Sequence, residues 1–354
     1  MHIKFNLPKK ILSWYDNNKR NLPWRVSKKS PKKLYYRLLS EFMLQQTQVK
    51  TVIPYFNKFT KRFKTLKTLS RCSEKEILKL WEGLGYYRRA RNLLASSKIL
   101  VQKYNSKLPN EIKEIKKLPG VGDYTANALL GLVYNKPTIA VDGNVKRVFA
   151  RILNKDETKI DFEKFIELNK KKLFSSERNS DLVEALMEFG ALICKSKDPK
   201  CNICNLNKVC KYFNSSNKIK NTKNKMMKNK NYDVFCYINK KKQIALTKQN
   251  DLGFLNEFNL PQIQETNSEV RKTHWKFLIN YNNTVSNIKL NINLYYKFSN
   301  KIPLNFNWYS IKKNKEFIPS FTKKYLNKCQ FYFNEKKNSY HRRRHCRVNT
   351  RKFN

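Results

Sequence analysis

The residues from Leu118 to Asn144 constrain the fold of this chain more than any other stretch. They read LPGVGDYTANALLGLVYNKPTIAVDGN, which predicts the end of one helix, a glycine turn, a second helix that begins at Asp123, a short loop, and an acid, Asp142, just before another helix. Because glycine can take positive φ, the turn at Gly120 and Gly122 is expected to bring backbone amides to the surface. Amides at the start of a helix suit a phosphate, although the same turn also serves plain chain reversal.

The charge of the chain favours a polyanionic partner. Lys and Arg number 75 against 26 Asp and Glu, a formal net charge of +49, which makes nucleic acid the first candidate. Many of these lysines lie in asparagine-rich runs, a bias that coding composition alone would also produce. No apolar run reaches the roughly 18 to 20 residues that span a bilayer, and the N-terminus lacks the apolar core of a signal peptide. We therefore expect no membrane contact and a cytoplasmic protein, associated with the nucleoid if its source is bacterial.

Four of the eight cysteines form a cluster with the spacing C-x6-C-x2-C-x5-C. They are Cys194, Cys201, Cys204 and Cys210, and no histidine lies between residues 3 and 273. Structural disulfides are not expected in a reducing compartment. Four thiolates at this spacing hold either zinc or an iron–sulfur cluster, and ligand chemistry alone does not decide between the two.

Glu41 is the candidate general acid. It lies in the stretch LLSEFMLQQTQ, residues 38–48, where Ser40 is expected to cap a helix whose first turn holds Glu41. The apolar side chains at 42–44 desolvate the carboxyl group, which should raise its pKa towards neutrality and suit it to donate a proton. The alternative interpretation is that Glu41 only favours a helix N-terminus.

Asp142 is the candidate second carboxylate. It follows the apolar run at 138–141 and precedes Gly143 and Asn144, so it is expected at the N-terminus of a helix. A simple N-cap, worth about 1 kcal/mol, is the alternative interpretation. Amide donors favour the charged form of a capping carboxylate, which should keep Asp142 ionised at neutral pH.

Further motifs accompany the hairpin stretch. LPWR occupies residues 22–25, SEFMLQQTQ contains Glu41, GLGYY occupies 83–87 and VDGNVKRV follows the hairpin. With these motifs the chain resembles the helix-hairpin-helix DNA glycosylases related to endonuclease III, and the MutY-type adenine DNA glycosylases in particular, from about Trp14 to Leu326. The resemblance implies a mainly α N-terminal domain, a six-helix barrel with an iron–sulfur cluster loop, and an α+β, Nudix-like C-terminal domain.

The resemblance gives the two acids distinct roles. It implies that Glu41 protonates the departing adenine, that ionised Asp142 stabilises the developing cation or bonds to it, and that Asn144 orients the acids or water. Tyr124 stands where the endonuclease III branch has a lysine that attacks the sugar, and tyrosine cannot form a Schiff base. An enzyme that removes a base and leaves an abasic site is therefore expected.

The resemblance also assigns residues that recognise adenine and the lesion. Arg25 is expected to help hold the extruded base, with a phosphate contact as the alternative. Glu184 is expected to read the adenine, and Glu188, one turn later, is its rival. Thr273 and His274 match a Ser-His pair that senses 8-oxoguanine, although His274 also suits an ordinary strand position.

Contacts with the rest of the duplex are expected along three segments. Tyr86 is the candidate wedge between stacked bases, and the arginines that follow it, Arg88, Arg89 and Arg91, are expected near phosphates. The other residues predicted to bind DNA are Gln45, Gln46, Thr47, Gly120, Gly122 and Lys146.

The cysteine spacing matches that of these families, in which the four thiolates hold a [4Fe-4S] cluster. We expect a helical catalytic domain at 1–213, a basic linker at 214–231, a Nudix-like lesion-recognition domain at 232–330 and a basic, disordered tail at 331–354. The glutamate-rich box of an active Nudix hydrolase is absent from the sequence. The second domain is therefore expected to bind and not to cut.

Together these features predict a monofunctional, monomeric adenine DNA glycosylase of base excision repair. Its partner would be double-stranded DNA that contains adenine mispaired with 8-oxoguanine or guanine. An endonuclease III-type glycosylase and lyase on oxidised pyrimidines is the first alternative, and Tyr124 and the C-terminal domain argue against it. A non-catalytic DNA-binding protein is the second, and the presence of both Glu41 and Asp142 argues against it.

Overall fold

The computed structural model describes residues 2–219, 227–249, 258–266, 272–285, 288–310 and 318–329. The chain divides into two compact units, Met1–Thr222 and Lys223–Asn354. Across the described ranges, no helix combines the length and apolar character that crossing a bilayer requires.

The first unit is helical in its described residues. Short 3-10 turns at Glu157–Lys159, Cys201–Ile203 and Asn207–Val209 connect some of the helices. These helices are α1 (Leu7–Asn18), α2 (Lys33–Leu44), α3 (Val49–Arg62), α4 (Leu66–Ser70), α5 (Glu74–Trp81), α6 (Arg88–Lys103), α7 (Ile112–Ile115), α8 (Asp123–Tyr134), α9 (Gly143–Leu153), α10 (Phe162–Leu168), α11 (Lys170–Leu173), α12 (Asn179–Leu192) and α13 (Lys211–Asn214).

Apolar side chains at helical spacing hold these helices together. In α9 the buried positions Val145, Val148 and Phe149 follow the i, i+3, i+4 pattern of an amphipathic helix. The Phe149 ring packs edge to face against Phe165 at a centroid distance of 5.0 Å. These residues belong to one core with the apolar faces of α1 and α12. Burial of this shared face, more than helix propensity, stabilises the helices.

The helix boundaries near the hairpin follow the sequence, but the boundary near Glu41 does not. Helix α8 begins at Asp123 and Asp142 caps α9, as predicted. Helix α2 begins at Lys33, so the prediction that Ser40 caps it is wrong. The Ser40 hydroxyl instead donates to the Arg37 carbonyl at 3.0 Å inside the helix. Helix α2 starts earlier because its buried apolar face begins at residue 35.

The second unit contains a six-stranded sheet in the order β4-β5-β1-β2-β6, with β3 also paired to β1. Strands β1 and β5 are parallel, and the other pairs are antiparallel. The first strand begins at Lys228, ahead of the predicted start at 232. The strands are β1 (Lys228–Ile238), β2 (Ile244–Leu246), β3 (Gln262–Glu265), β4 (Lys276–Val285), β5 (Ile288–Phe298) and β6 (Asn307–Tyr309).

A helix at residues 320–329, α14, supplies the other part of the core of this unit. Val234, Ile292 and Leu294 from the sheet and Tyr325 from α14 are fully buried in one cluster. Alternation of buried and half-buried residues along β5 shows that one face of the strand packs inward. The sequence predicts a helical domain followed by an α+β domain, and the two units have these fold classes. The predicted tail at 331–354 lies outside the described residues.

Candidate active site

Glu41 lies in the last turn of α2 and is only 5% exposed. Its Oε2 atom is buried without a hydrogen-bond partner among the described residues. Burial is the main reason that the pKa of Glu41 is raised to about 7. A hydrogen bond with Tyr124 and the charge of Arg37 lower this pKa, whereas Asp142 and Glu184 raise it. The carboxyl group therefore exchanges its proton near neutral pH.

Arg89 fixes the end of the helix that carries Glu41. Its guanidinium is 6% exposed, and Nη1 donates to the carbonyl oxygens of Phe42, Met43 and Gln45 at 3.2, 2.7 and 2.5 Å. Nη2 donates to the Gly85 carbonyl at 3.2 Å. These bonds satisfy carbonyls that a helix C-terminus leaves without partners. The prediction that Arg89 contacts phosphate is therefore wrong, because the side chain is buried within the protein.

Asp142 is the N-cap of α9, and both of its carboxylate oxygens are bonded. Oδ1 accepts from the Val145 amide at 2.7 Å, and Oδ2 accepts from Asn144 Nδ2 at 2.8 Å. Burial raises the pKa of Asp142 and outweighs these donors, which lower it. The net direction is opposite to the one that capping alone predicts. The donors nevertheless favour the charged form, so they offset part of the burial.

A chain of hydrogen bonds runs from Asp142 towards the cysteine segment. Asn144 Oδ1 accepts from Arg147 Nη2 at 2.7 Å, and Arg147 Nε donates to the Cys194 carbonyl at 2.8 Å. Gly190 allows this approach, because an added Cβ would lie 2.7 Å from Asn144 Cβ and 3.0 Å from its carbonyl oxygen. The orientation of Asn144 therefore depends on close contact between α9 and α12.

Tyr124 contacts Glu41 from the first turn of α8 and lies in the field of Asp142. Its hydroxyl bonds to Glu41 and lies 3.2 Å from the sulfur of Met187. Burial and the carboxylates of Glu41 and Asp142 raise the pKa of the phenol well above its ordinary value. Tyr124 therefore stays neutral beside Glu41. Lys146 is exposed, and its ammonium lies 5.6 Å from the centroid of the Phe162 ring.

Glu184 lies in α12 within a buried group of polar side chains. Its Oε2 atom pairs with Arg25 Nε at 2.8 Å and accepts a hydrogen bond from the Tyr15 hydroxyl. Its Oε1 atom forms an ion pair with Arg37 Nη2. Sequence reasoning found Arg25 and Glu184 but missed Tyr15 and Arg37. Arg37 could have been noticed because it lies one helical turn before Glu41.

Glu188 binds the same arginine from one turn further along α12. Arg20 contacts both Glu188 oxygens, through Nε at 2.7 Å and Nη2 at 2.8 Å, and Arg25 Nη2 lies 3.0 Å from Oε2. Burial raises the pKa of Glu188, but these arginines outweigh it and the net shift is downward. Arg25 therefore bridges Glu184 and Glu188. Both oxygens of Glu188 and both oxygens of Glu184 are therefore contacted by arginines.

The hairpin turn meets the segment that follows Glu41. Gly120 has φ +79°, and a Cβ there would lie 2.6 Å from Asn92 Nδ2. Gly122 has φ −98°, so the expectation of positive φ is correct only for Gly120. Both glycines are exposed. Gln45 Nε2 donates to the Gly120 carbonyl at 3.3 Å, which links α2 to the hairpin.

Two neighbouring segments project side chains outward. Tyr86 has φ +48° and is 43% exposed, whereas the next ring, Tyr87, is 4% exposed. Gln46 has φ +57° and is also exposed, and Thr47 donates to the Gln45 carbonyl at 3.4 Å. An exposed ring on a tight turn is available to contact a ligand, whereas the buried ring is part of the core.

The four clustered cysteines are partly buried and influence one another. Burial and the other three thiols of the cluster raise the pKa of Cys204 to about 11. Arg151 Nη1 lies 3.5 Å from the sulfur of Cys194, and the Cys210 thiol donates to the Arg151 carbonyl at 3.5 Å. Within the described part of the chain, no three His, Cys, Asp or Glu side chains are grouped closely enough to hold a metal ion.

The candidate lesion-sensing residues lie in the second unit. Thr273 and His274 are exposed in the short 3-10 turn Lys272–His274, directly before β4. His274 is therefore not a strand residue, which was the alternative interpretation.

We expect replacement of Glu41 by Gln to stabilise the protein in a pH-dependent way. The folded state holds a proton on Glu41 that the unfolded state loses between pH 4.5 and about 7, so the stability of the wild type falls as pH rises through that window. The amide does not ionise. The free energy of unfolding of E41Q minus that of the wild type should be larger at pH 8 than at acidic pH, by on the order of 3 kcal/mol. Urea unfolding across this range measures the difference.

Glu167→Gln is the matched control, because the side chain of Glu167 is 72% exposed. Its difference from the wild type should stay nearly constant with pH. A constant difference for E41Q as well would contradict the raised pKa of Glu41.

The chain is similar to known proteins along most of its length. Residues 39–172 match the HhH-GPD superfamily of base excision DNA repair proteins. The adenine DNA glycosylase of Buchnera aphidicola subsp. Baizongia pistaciae is 39% identical over 323 residues, 85% of this chain and 90% of the relative. The human adenine DNA glycosylase is 36% identical over 57% of this chain, which spans 38% of that longer protein.

A solved structure agrees with the helical unit. A thermostable thymine-DNA glycosylase has a TM-score of 0.51 and 28% identity, covering 58% of this chain and 94% of its own. The Buchnera relative extends the similarity across both units. The chain therefore belongs to the adenine DNA glycosylase family, within the HhH-GPD superfamily of base excision DNA repair proteins.

Proposed function

We propose that this chain removes adenine mispaired with 8-oxoguanine or guanine in double-stranded DNA, and that it hydrolyses the N-glycosidic bond without cutting the strand. One observation carries the proposal: the buried Glu41 carboxyl group bonds to Tyr124 and lies within the field of Asp142, and its pKa is raised to about 7. A proton donor of that pKa is efficient at neutral pH. Family membership supplies adenine as the base.

In the proposed reaction Glu41 gives its proton to a ring nitrogen of the extruded adenine. The bond between the sugar and the base then breaks, its electron pair leaves with the base, and positive charge develops on the sugar. Asp142, held by Val145 and Asn144, faces that charge and stabilises it. Water adds to the sugar and its proton returns to a carboxylate. The products are free adenine and an abasic site.

The proposal excludes strand cleavage through an imine at this position. Tyr124 lies beside Glu41, and its phenol has no amine to attack the sugar. Its hydrogen bond to Glu41 instead orients the acid. Lys146 is proposed as a DNA contact because its side chain is exposed and positively charged.

We assign further residues to the pocket for the extruded base and to contacts with the rest of the duplex. Glu184, ion-paired with Arg25 at 2.8 Å, is proposed to bind the exocyclic edge of adenine, since a carboxylate accepts from an amino group. Exposed Tyr86 is proposed to enter the base stack where the nucleotide leaves it. Further contacts are proposed for Gln45, Gln46, Thr47, Asn144 and the amides near Gly120 and Gly122.

A [4Fe-4S] cluster is proposed at the four clustered cysteines. The donor set fits by ligand type, because four cysteine thiols are the usual ligands of such a cluster, burial and the Cys194 thiol raise the pKa of Cys201, Cys204 and Cys210, and the Arg151 guanidinium lies beside Cys194. The cluster would cross-link the segment from residue 194 to 210. Through the Cys194 carbonyl that segment bonds to Arg147, and Arg147 bonds to Asn144.

The second unit is proposed to be a Nudix-like domain that recognises the lesion. Thr273 and His274 are exposed next to each other in one turn, where both side chains are accessible to a base. The protein is proposed to act as a monomer in the cytoplasm, on the DNA itself. The domain limits proposed are 1–213 and 232–330, joined by a basic linker.

The decisive assay uses a duplex with one adenine opposite 8-oxoguanine, analysed with and without hot alkali. Strand scission should occur only after alkali, because an abasic site is alkali-labile and the protein leaves the strand intact. Glu41→Gln should reduce the single-turnover rate by about 10²- to 10⁴-fold, the usual contribution of a general acid, while duplex binding is kept. Glu167→Gln should retain the wild-type rate.

Each other outcome favours a different function. Scission without alkali would indicate a lyase of the endonuclease III type. Binding without base removal would indicate a non-catalytic DNA-binding protein. Full activity of E41Q would remove Glu41 from the acid role.

We expect purified protein to contain about four iron and four sulfide per chain, the content of a [4Fe-4S] cluster. Cys201→Ser should lower that content, whereas Cys72→Ser should leave the iron per folded chain unchanged, because Cys72 lies in the connection between α4 and α5, outside the cysteine cluster. Elemental analysis measures both. One zinc per chain and no iron would contradict the cluster.

A further inference from the structure

Arg37 is a buried cation that the proposed reaction does not use. It lies in the middle of α2 and is 7% exposed. Burying a guanidinium is unfavourable unless other groups compensate its charge. An arginine at this position therefore needs partners, and those partners lie in the proposed base pocket.

The contacts of Arg37 reach the carboxylate proposed to bind adenine. Its Nη2 atom forms an ion pair with Glu184 Oε1, while Arg25 and Tyr15 occupy Oε2 of the same carboxylate. Two helices are joined by this pair, because Arg37 belongs to α2 and Glu184 to α12. The rotamer of Glu184 is thereby fixed from both of its oxygens.

Three buried polar atoms of this group have no hydrogen bond within the described ranges. They are Arg37 Nε, Glu41 Oε2 and Glu184 Oε1, and the last of these contacts Arg37 Nη2 as an ion pair. Native proteins rarely leave such atoms without partners, and the exceptions mark functional sites or bound molecules. One donor and one acceptor on the same helix are therefore available for a polar ligand, as the edge of a purine requires.

The position of Arg37 also balances charge around the acid. Residues four apart lie on the same side of a helix, so Arg37 and Glu41 are neighbours on α2. The groups that act on Glu41 are Tyr124 from α8, Asp142 at the start of α9, Glu184 from α12 and Arg37 from α2 itself. Among these, Arg37 carries the positive charge, which opposes that of the two carboxylates.

We propose that Arg37 is a positioning residue, resting on the proposed function, that holds Glu184 against adenine and offsets the negative charge facing Glu41. The ion pair of the guanidinium fixes the position of Glu184, and its positive charge lowers the pKa of Glu41. Adenine removal should therefore respond to Arg37 in both rate and pH dependence, although Arg37 does not transfer a proton.

The test compares the single-turnover rate of adenine removal with pH for the wild type, Arg37→Met and Arg37→Lys. The wild-type rate should fall as pH rises through about 7, where Glu41 loses its proton. Loss of the positive charge in R37M makes the protonated acid more stable, so this fall should move to higher pH. The rate at acidic pH should drop about tenfold or more, because Glu184 loses a partner. R37K keeps the charge and should keep the pH at which the rate falls.

The control is Arg62→Met, which removes an arginine from an ion pair with Glu76 whose arginine side chain is 60% exposed. Its profile should match that of the wild type. Glu184→Gln removes a negative charge and should move the fall to lower pH, and the double variant R37M/E184Q should return it towards the wild-type position. That reversal would not arise from a general loss of packing.

If R37M does not fold, Arg37→Gln replaces it, since glutamine keeps a polar group and loses the charge, and the same shift is expected. A folded, uncharged variant whose rate falls at the wild-type pH would overturn the role of Arg37. A wild type that does not remove adenine would instead contradict the proposed function, so the two failures are distinguishable.

Discussion

The carboxyl group of Glu41 is buried at the end of α2, where an ionised side chain loses most of its hydration. Such a loss is costly for a charged group and favours the protonated form. The groups that meet Glu41 come from three other helices, namely Tyr124 from α8, Asp142 from the start of α9 and Glu184 from α12. The pKa of Glu41 therefore depends on the folded helical unit, which brings distant parts of the chain together around this side chain.

Two devices hold that arrangement. Arg89 binds the last carbonyls of α2 and so fixes the backbone that carries Glu41. On the other side, Arg147 joins Asn144 to the Cys194 carbonyl, and Gly190 permits the close contact between α9 and α12. Both devices use arginine to satisfy carbonyl oxygens, which leaves little freedom for the carboxylates. A cross-linked cysteine segment would strengthen the second device.

Much of the site could be predicted from local sequence, because caps and turns depend on a few neighbouring residues. The N-cap at Asp142 and the positive φ of Gly120 are of this kind. The cap assigned to Ser40 was wrong, because the apolar face of α2 starts earlier than the polar residue suggests. The ion pair of Arg37 with Glu184 joins residues far apart in sequence, so no local pattern predicts it. The net pKa shift of Asp142 was likewise missed, since burial is a property of the folded chain.

In the folded protein Glu41 holds a proton close to neutral pH. Infrared difference spectra of the wild type against E41Q, recorded as pH is raised, would follow the carboxyl stretch of this one side chain. The signal of the protonated carboxyl group should disappear with a midpoint near pH 7. A midpoint near 4.5, the ordinary pKa of a solvated glutamate, would contradict it.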